Sequence, residues 1–211
     1  MKNKSKINYK LYLVTNRDLL KNISLTEAVE EAIKGGTTLV QLREKNVSSL
    51  EFYNIAKSIK KVTDKYDIPL IIDDRLDIAL AVDAAGLHVG QSDMPAIIAR
   101  KLLGENKILG VSAHTIDEAL KAEKDGADYI GTGAIFTTTT KKDAENVSIK
   151  SLKEITEKVH IPVVAIGGIN QENVKMLKGT GISGISVISS ILGKNDIKKA
   201  SEDLNKCINF I

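Results

Sequence analysis

Residues 69–90 read PLIIDDRLDIALAVDAAGLHVG. An apolar run behind Pro69 stops at the paired acids Asp73 and Asp74. A stretch with helical spacing follows, Leu76 to Ala81, and then a second apolar run, GLHVG, at 86–90. Continuous Val/Ile/Leu runs bounded by Gly, Asp or Pro are the mark of parallel strands buried on both faces. The segment therefore reads strand, helix, strand, and its polar residues sit where the first strand ends.

The same alternation extends in both directions. Strands are predicted at KLYLVT (10–15), TLVQLRE (38–44), PLIID (69–73), GLHVG (86–90), ILGVS (108–112), DYIGTG (128–133), PVVAIG (162–167) and GISVI (184–188). Helices are predicted between them: Leu25–Lys34 behind a Ser24 cap, Ser48–Tyr66, Leu76–Ala81, Pro95–Leu103, Thr115–Asp125, Ser148–Val159, Gln171–Lys178 and Lys194–Asn205. Ser48 and Glu51 have the spacing of a capping box. Eight strand-then-helix units in 211 residues predict a single α/β domain over 1–211, a (β/α)8 TIM barrel. An open doubly wound sheet is the alternative that right-handed crossovers also allow.

Composition narrows the function classes. Hydrophobic residues make up 43% and charged residues 27%, enough for a large core. The net charge of +3 is small, and the lysines are spread along helices rather than gathered in a stripe, which argues against a nucleic-acid partner. The apolar run at Leu11–Val14 is too short for a signal peptide, and no stretch approaches the ~18 apolar residues of a membrane span. A single cysteine, Cys207, cannot form an internal disulfide, consistent with the cytoplasm. The sequence is compatible with a homo-oligomer.

In such a barrel the active site lies at the C-terminal ends of the strands. Gln41, Arg43 and Lys45 alternate along the second strand, so all three share one face, and Arg and Lys together suit a polyanion. Asp74 ends the third strand and Asp93 the fourth. Each could be a helix cap; together they offer the two carboxylates by which Mg²⁺ is held beside phosphate oxygens. Ser112 ends the fifth strand as a donor into the mouth or as a cap. His88 and His114 stand without ligands at metal spacing and read as structural or supporting residues. Gly167-Gly168 ends the seventh strand, and Ile188-Ser189-Ser190 the eighth, where this fold holds phosphate. After strand six comes GAIFTTTTKKD (133–143), whose hydroxyls and ammonium groups lie between these two sides. The residues thus predict an enzyme with two anion sites and one divalent metal.

With these motifs in place the chain resembles the thiamine-phosphate synthase (thiamine-phosphate pyrophosphorylase) family. The resemblance runs from LYLVT to GISVISSI and is carried by QLREK, DDR, GLHVGQSD, GVSAHT, GADYIGTGAIF-TTTTKKD, IPVVAIGGI and GISVISSI in order. It implies a transferase that joins a hydroxymethylpyrimidine diphosphate to a thiazole phosphate with Mg²⁺, releasing pyrophosphate. It further implies that Gln41, Leu42, Arg43, Glu44 and Lys45 bind the pyrimidine diphosphate, with Arg43 and Lys45 on its phosphates. Asp74 and Asp93 would be the Mg²⁺ ligands, and Ser112 would touch the pyrimidine substrate. Thr138 and Thr140, with Thr139 between them, would hold the thiazole phosphate together with Gly168, Ile188 and Ser189. Lys141 would meet the leaving diphosphate. A thiazole tautomerase and a non-catalytic barrel for thiamine intermediates are the alternatives.

The chain departs from the family pattern in three places. Asp73 stands where the family has Asn; an ionised Asp cannot donate to a diphosphate oxygen as the amide does, so at this substrate-binding position it is expected to join the metal shell or to bind through water. Ala134 and Thr137 replace the two prolines of the family loop, an exchange expected to loosen that loop.

Overall fold

The computed structural model describes residues 7–138 and 146–209. Eight parallel strands close a barrel in chain order: β1 (Leu11–Val14), β2 (Leu39–Leu42), β3 (Leu70–Asp73), β4 (Gly86–Val89), β5 (Ile108–Ser112), β6 (Tyr129–Thr132), β7 (Val163–Ile166) and β8 (Gly184–Val187). β8 pairs with β1, so the ring leaves no strand edge. The helices are α1 (Leu25–Lys34), α2 (Ser49–Lys65), α3 (Leu76–Ala81), α4 (Ala96–Leu103), α5 (Ile116–Lys124), α6 (Ile149–Lys158), α7 (Ser189–Leu192) and α8 (Ile197–Cys207). The architecture is the (β/α)8 TIM barrel. No helix among the described residues is long and apolar enough to cross a membrane.

Two helix expectations change. The segment Gln171–Lys178 forms a single 3-10 turn, Val174–Leu177. The Asn170 side chain accepts the N–H groups of Glu172 (2.9 Å) and Asn173 (3.2 Å), so a local turn takes the backbone groups a helix would need. Ser48 caps α2 by accepting from Glu51 N–H, but the Glu51 carboxylate turns to Arg17 (3.1 Å) instead of completing the box. The full capping box belongs to Ser24 and Glu27 on α1.

Strand parity divides the core in two. One set of alternating residues, including Leu11, Leu13, Val40, Leu42 and Ile72, packs outward against the helices. The other set fills the ring: Tyr9, Tyr12, Leu39, Ile71, Ile108, Tyr129 and Val164. Three tyrosines in place of smaller aliphatics need room. The Tyr129 ring lies 5.0 Å from Tyr9 and 5.9 Å, edge-on, from Tyr12. Gly110 supplies the space, because a Cβ there would sit 2.1 Å from Tyr129 Cζ. This inner plug is the floor on which the site is built.

Gly110→Ala is expected to lower stability by ~1–3 kcal/mol or more through overpacking against Tyr129. A urea midpoint within error of the parent would show that the ring has room to yield.

Candidate active site

The C-terminal mouth of the barrel holds a cavity, and its wall is set by the inward residues of each strand. On β2 the side chains of Gln41 and Arg43 point into it. Gln41 is buried, and Arg43 N–H donates to Thr15 Oγ1 at 3.0 Å, which ties the end of β2 to the end of β1. Leu42 and Glu44, expected among the substrate contacts, have the opposite parity. Leu42 packs in the outer core. The Glu44 carboxylate accepts from Arg17 Nε at 3.0 Å outside the cavity. Both side chains are therefore structural, as a period of two requires.

The carboxylates meet the cations beside β3. Asp73 is 8% exposed, with Lys45 Nζ at 3.4 Å and Arg43 Nε at 3.6 Å from its Oδ2. Lys45 Nζ also donates to Asp74. Asp74 has φ +57, a left-handed conformation that Asp tolerates better than most residues, and it turns the chain out of the strand. Its carboxyl then lies close enough to that of Asp93 for each to shift the other. Asp93 is held by Gly90 N–H at 2.7 Å. Neither acid caps a helix: Arg75 and Pro95 occupy those positions.

Burial, then the Asp74 charge, pushes Asp73 up to about 6, against the pull of Lys45 and Arg43. Burial also raises Asp74; Lys45 opposes this and Asp93 reinforces it. Burial works against the Asp93 charge as well, but its bonds to Asp74 and to Gly90 N–H hold it below the usual range. Two carboxyl groups this close want a proton or a cation between them. Among the described residues no cluster of three or more His, Cys, Asp or Glu converges on a metal position. A two-carboxylate site still fits Mg²⁺, which keeps water and takes phosphate oxygens for its other positions.

The opposite wall is backbone. Gly167 and Gly168 have φ +101 and +62, and a Cβ on Gly168 would lie 2.5 Å from Thr137 O. The chain after β6 is laid against this turn: Ile135 N donates to Ile166 O and Phe136 N to Gly167 O, both at 3.0 Å. Val147 N returns to Ala134 O at 2.8 Å. Ile135 and Phe136 are thus hydrogen-bonded to the end of β7, and the rest of the loop expected to loosen lies, at 139–145, outside the described residues. Thr138, Gly168, Ile188 and Ser189 all line the cavity. Ser189 opens α7, whose first N–H groups have no helical partner. Thr139, Thr140 and Lys141 lie outside the described residues.

The floor carries polar groups that the motifs did not single out. Tyr12 and Tyr129 line it, and so does Ser186. The Ser186 hydroxyl is buried without a protein partner among the described residues. Their inward parity on β1, β6 and β8 was the available signal. Ser112 caps no helix, since Thr115 caps α5. Its Oγ lies 3.0 Å from His88 Nε2. His88, expected as a structural or supporting residue, lines the cavity, and His114, also at the cavity wall, is tied by its backbone N–H to Glu118 at 2.7 Å.

This geometry can be set beside known proteins. The family model described as thiamine monophosphate synthase matches residues 11–191. The chain belongs to that family. It is therefore an enzyme of thiamine biosynthesis and a transferase. Among relatives, the thiamine-phosphate synthase of Clostridium tetani is 67% identical over 199 residues, covering 94% of this chain and 95% of that protein. That of Clostridium beijerinckii is 59% identical over 201 residues, covering 95% and 96%. The solved thiamine phosphate pyrophosphorylase of Pyrococcus furiosus is 44% identical, covers 96% of each chain and superposes with a TM-score of 0.88. A 3-hexulose-6-phosphate synthase, 19% identical with a TM-score of 0.68 over 94% of this chain and 99% of that one, shares the fold alone.

Asp73 gives a pH signature to this member of the family. Its folded value near 6 lies above the ordinary 3.8, so the unfolded chain releases the proton first. In metal-free buffer stability should then fall as pH rises from 3.8 to about 6, by ~1–3 kcal/mol. Asp73→Asn is expected to flatten that slope in urea midpoints measured across the interval. An unchanged slope would mean that the carboxyl is ionised in both states.

Proposed function

We propose that this thiamine monophosphate synthase family enzyme condenses 4-amino-2-methyl-5-(diphosphooxymethyl)pyrimidine with a thiazole phosphate to give thiamine phosphate and pyrophosphate. The observation that carries this reading is the two-sided cavity. Arg43 and Asp73 line it at the ends of β2 and β3, with Lys45 joining Asp73 to Asp74 beside them, and Gly167, Gly168 and Ser189 line it from β7 and β8.

Arg43, Lys45 and Lys141 grip the diphosphate, and Gln41, Ser112 and Asp73 face the pyrimidine end and its leaving oxygen. Asp74 and Asp93 would hold Mg²⁺, which supplies Lewis-acid neutralisation of diphosphate charge. Thr138, Thr139, Thr140, Gly168, Ile188 and Ser189 hold the thiazole phosphate, a handle that orients the ring nitrogen.

The step is dissociative. The methylene C–O bond breaks, and both electrons leave with pyrophosphate. The thiazole nitrogen lone pair then forms the new C–N bond to the pyrimidine cation. No proton moves in either step, so the site needs charge stabilisation on the leaving group more than a base. Its cation-rich wall supplies that. A thiazole tautomerase would have no use for Arg43, Lys45 and the carboxylate pair together. We also infer a cytoplasmic location, from small charged substrates and the lone Cys207.

Purified protein with both substrates and Mg²⁺ should release pyrophosphate and thiamine phosphate in equal amounts; a folded protein that makes neither would reject the reading. Arg43→Ala should cost ~10²–10³ in kcat/KM while Tm stays within a few degrees. Asp93→Asn should raise the Mg²⁺ needed for half-maximal rate at least ~10-fold, since losing even a ligand's supporting partner costs that much. An unchanged Mg²⁺ titration would remove Asp93 from the metal site.

A further inference from the structure

A line of five polar side chains crosses the barrel interior along the floor of the cavity. Gln41 Nε2 donates to Tyr12 Oη at 2.8 Å. Tyr12 Oη lies 2.8 Å from Tyr129 Oη. Tyr129 Oη lies 2.9 Å from His88 Nδ1, and His88 Nε2 lies 3.0 Å from Ser112 Oγ. Both phenols are fully inside the ring.

We propose that this line is directional and that His88 is a positioning residue: it donates from Nε2 to Ser112 Oγ and leaves the Ser112 hydroxyl hydrogen pointing into the cavity as a donor to the pyrimidine diphosphate.

The direction follows from counting hydrogens. An amide nitrogen only donates, so Tyr12 Oη is an acceptor toward Gln41. Among the described residues Tyr12 Oη touches one other partner, Tyr129, and its single hydrogen goes there. Tyr129 has accepted one bond and sends its own hydrogen on to His88 Nδ1. An accepting Nδ1 means a neutral ring that carries its proton on Nε2, and that N–H faces Ser112. Ser112 Oγ accepts, and its own hydrogen is left for a ligand. Burial keeps both phenols protonated, as the sequence of donors requires. Leaving a buried link unpaired would cost far more than a surface bond, so the line acts as a unit. With the direction reversed, Ser112 would spend its hydrogen on His88 and show a ligand only lone pairs, which repel a departing diphosphate.

The inference deepens the synthase reading and rests on it for the identity of the ligand. It is tested first without turnover. The full-length protein labelled with [15N]histidine is examined by NMR, and the His88 signals are assigned by their loss in His88→Gln. A proton on Nε2 with a bare Nδ1 supports the proposal; a proton on Nδ1 overturns it. Gln41→Glu, once ionised, offers only an acceptor to Tyr12 and should move the proton to Nδ1 toward the high end of a pH titration; a proton unmoved at every pH also overturns it.

Kinetics give the second arm. His88→Leu should lower kcat ~10–100-fold with KM changed less than ~3-fold. His88→Gln, which keeps an amide donor close to Ser112, should recover at least ~10-fold of that loss. Equal rates for the two variants would overturn the role of the donor. Should His88→Leu fail to fold, Tyr129→Phe cuts the same line one link earlier and should produce mixed His88 tautomers and a loss in kcat of the same size. If the parent protein made no thiamine phosphate, the synthase reading would fall while the tautomer measurement still judged the line.

Discussion

A strand of four residues sends alternate side chains to opposite faces, and this parity constrains everything else in the molecule. Each position on the eight short strands is committed either to the ring or to the helix layer. On β2 that commitment separates Gln41 and Arg43, which enter the cavity, from Leu42, which seals the outer core. Glu44, just past the strand, goes outward too and anchors Arg17 from the loop after β1. Cavity wall and scaffold thus alternate along 41–44, residue by residue. A one-residue slip would exchange the two sets and put a buried leucine where a cation belongs.

The ring interior shows what such a commitment demands. A phenol as large as Tyr129 fits because Gly110 is opposite, and Tyr12 and Tyr129 are tolerable when buried because each oxygen has partners. The floor of the site is therefore stiff at the bottom and polar at the top. Above it the cations and acids form one connected group, with Lys45 reaching both Asp73 and Asp74. Pre-set charges of this kind need little reorganisation when a reaction develops charge of its own.

Much of this was legible in the residues. The strand–helix alternation gave all eight strands, because buried parallel strands write continuous apolar runs. It failed at 171–178, where asparagine side chains divert the backbone into a turn that hydrophobic spacing does not reveal. Polar residues at strand ends pointed to Gln41, Arg43 and Ser112, which line one cavity, and to Lys45, Asp74 and Asp93, which join it through the contacts of Asp73 and Asp74. Leu42 and Glu44 came in with the motif as a whole and parity removes them. Tyr12, Tyr129 and Ser186 were passed over because a tyrosine or serine in an apolar run looks like ordinary core until the closed ring shows which way it points.

Asp73 gives the site an internal counterion. Where an amide would leave Arg43 without a carboxylate and Lys45 with Asp74 alone, this carboxyl sits 3.6 and 3.4 Å from them. A guest must therefore compete with a tethered resident for the same cations. Singly charged ions have little advantage in that contest, whereas a guest bringing several negative oxygens at once, and a cation of its own to occupy the acids, can win it. On the synthase reading proposed above, that contest favours a densely charged ester before any part of the ring it carries is inspected.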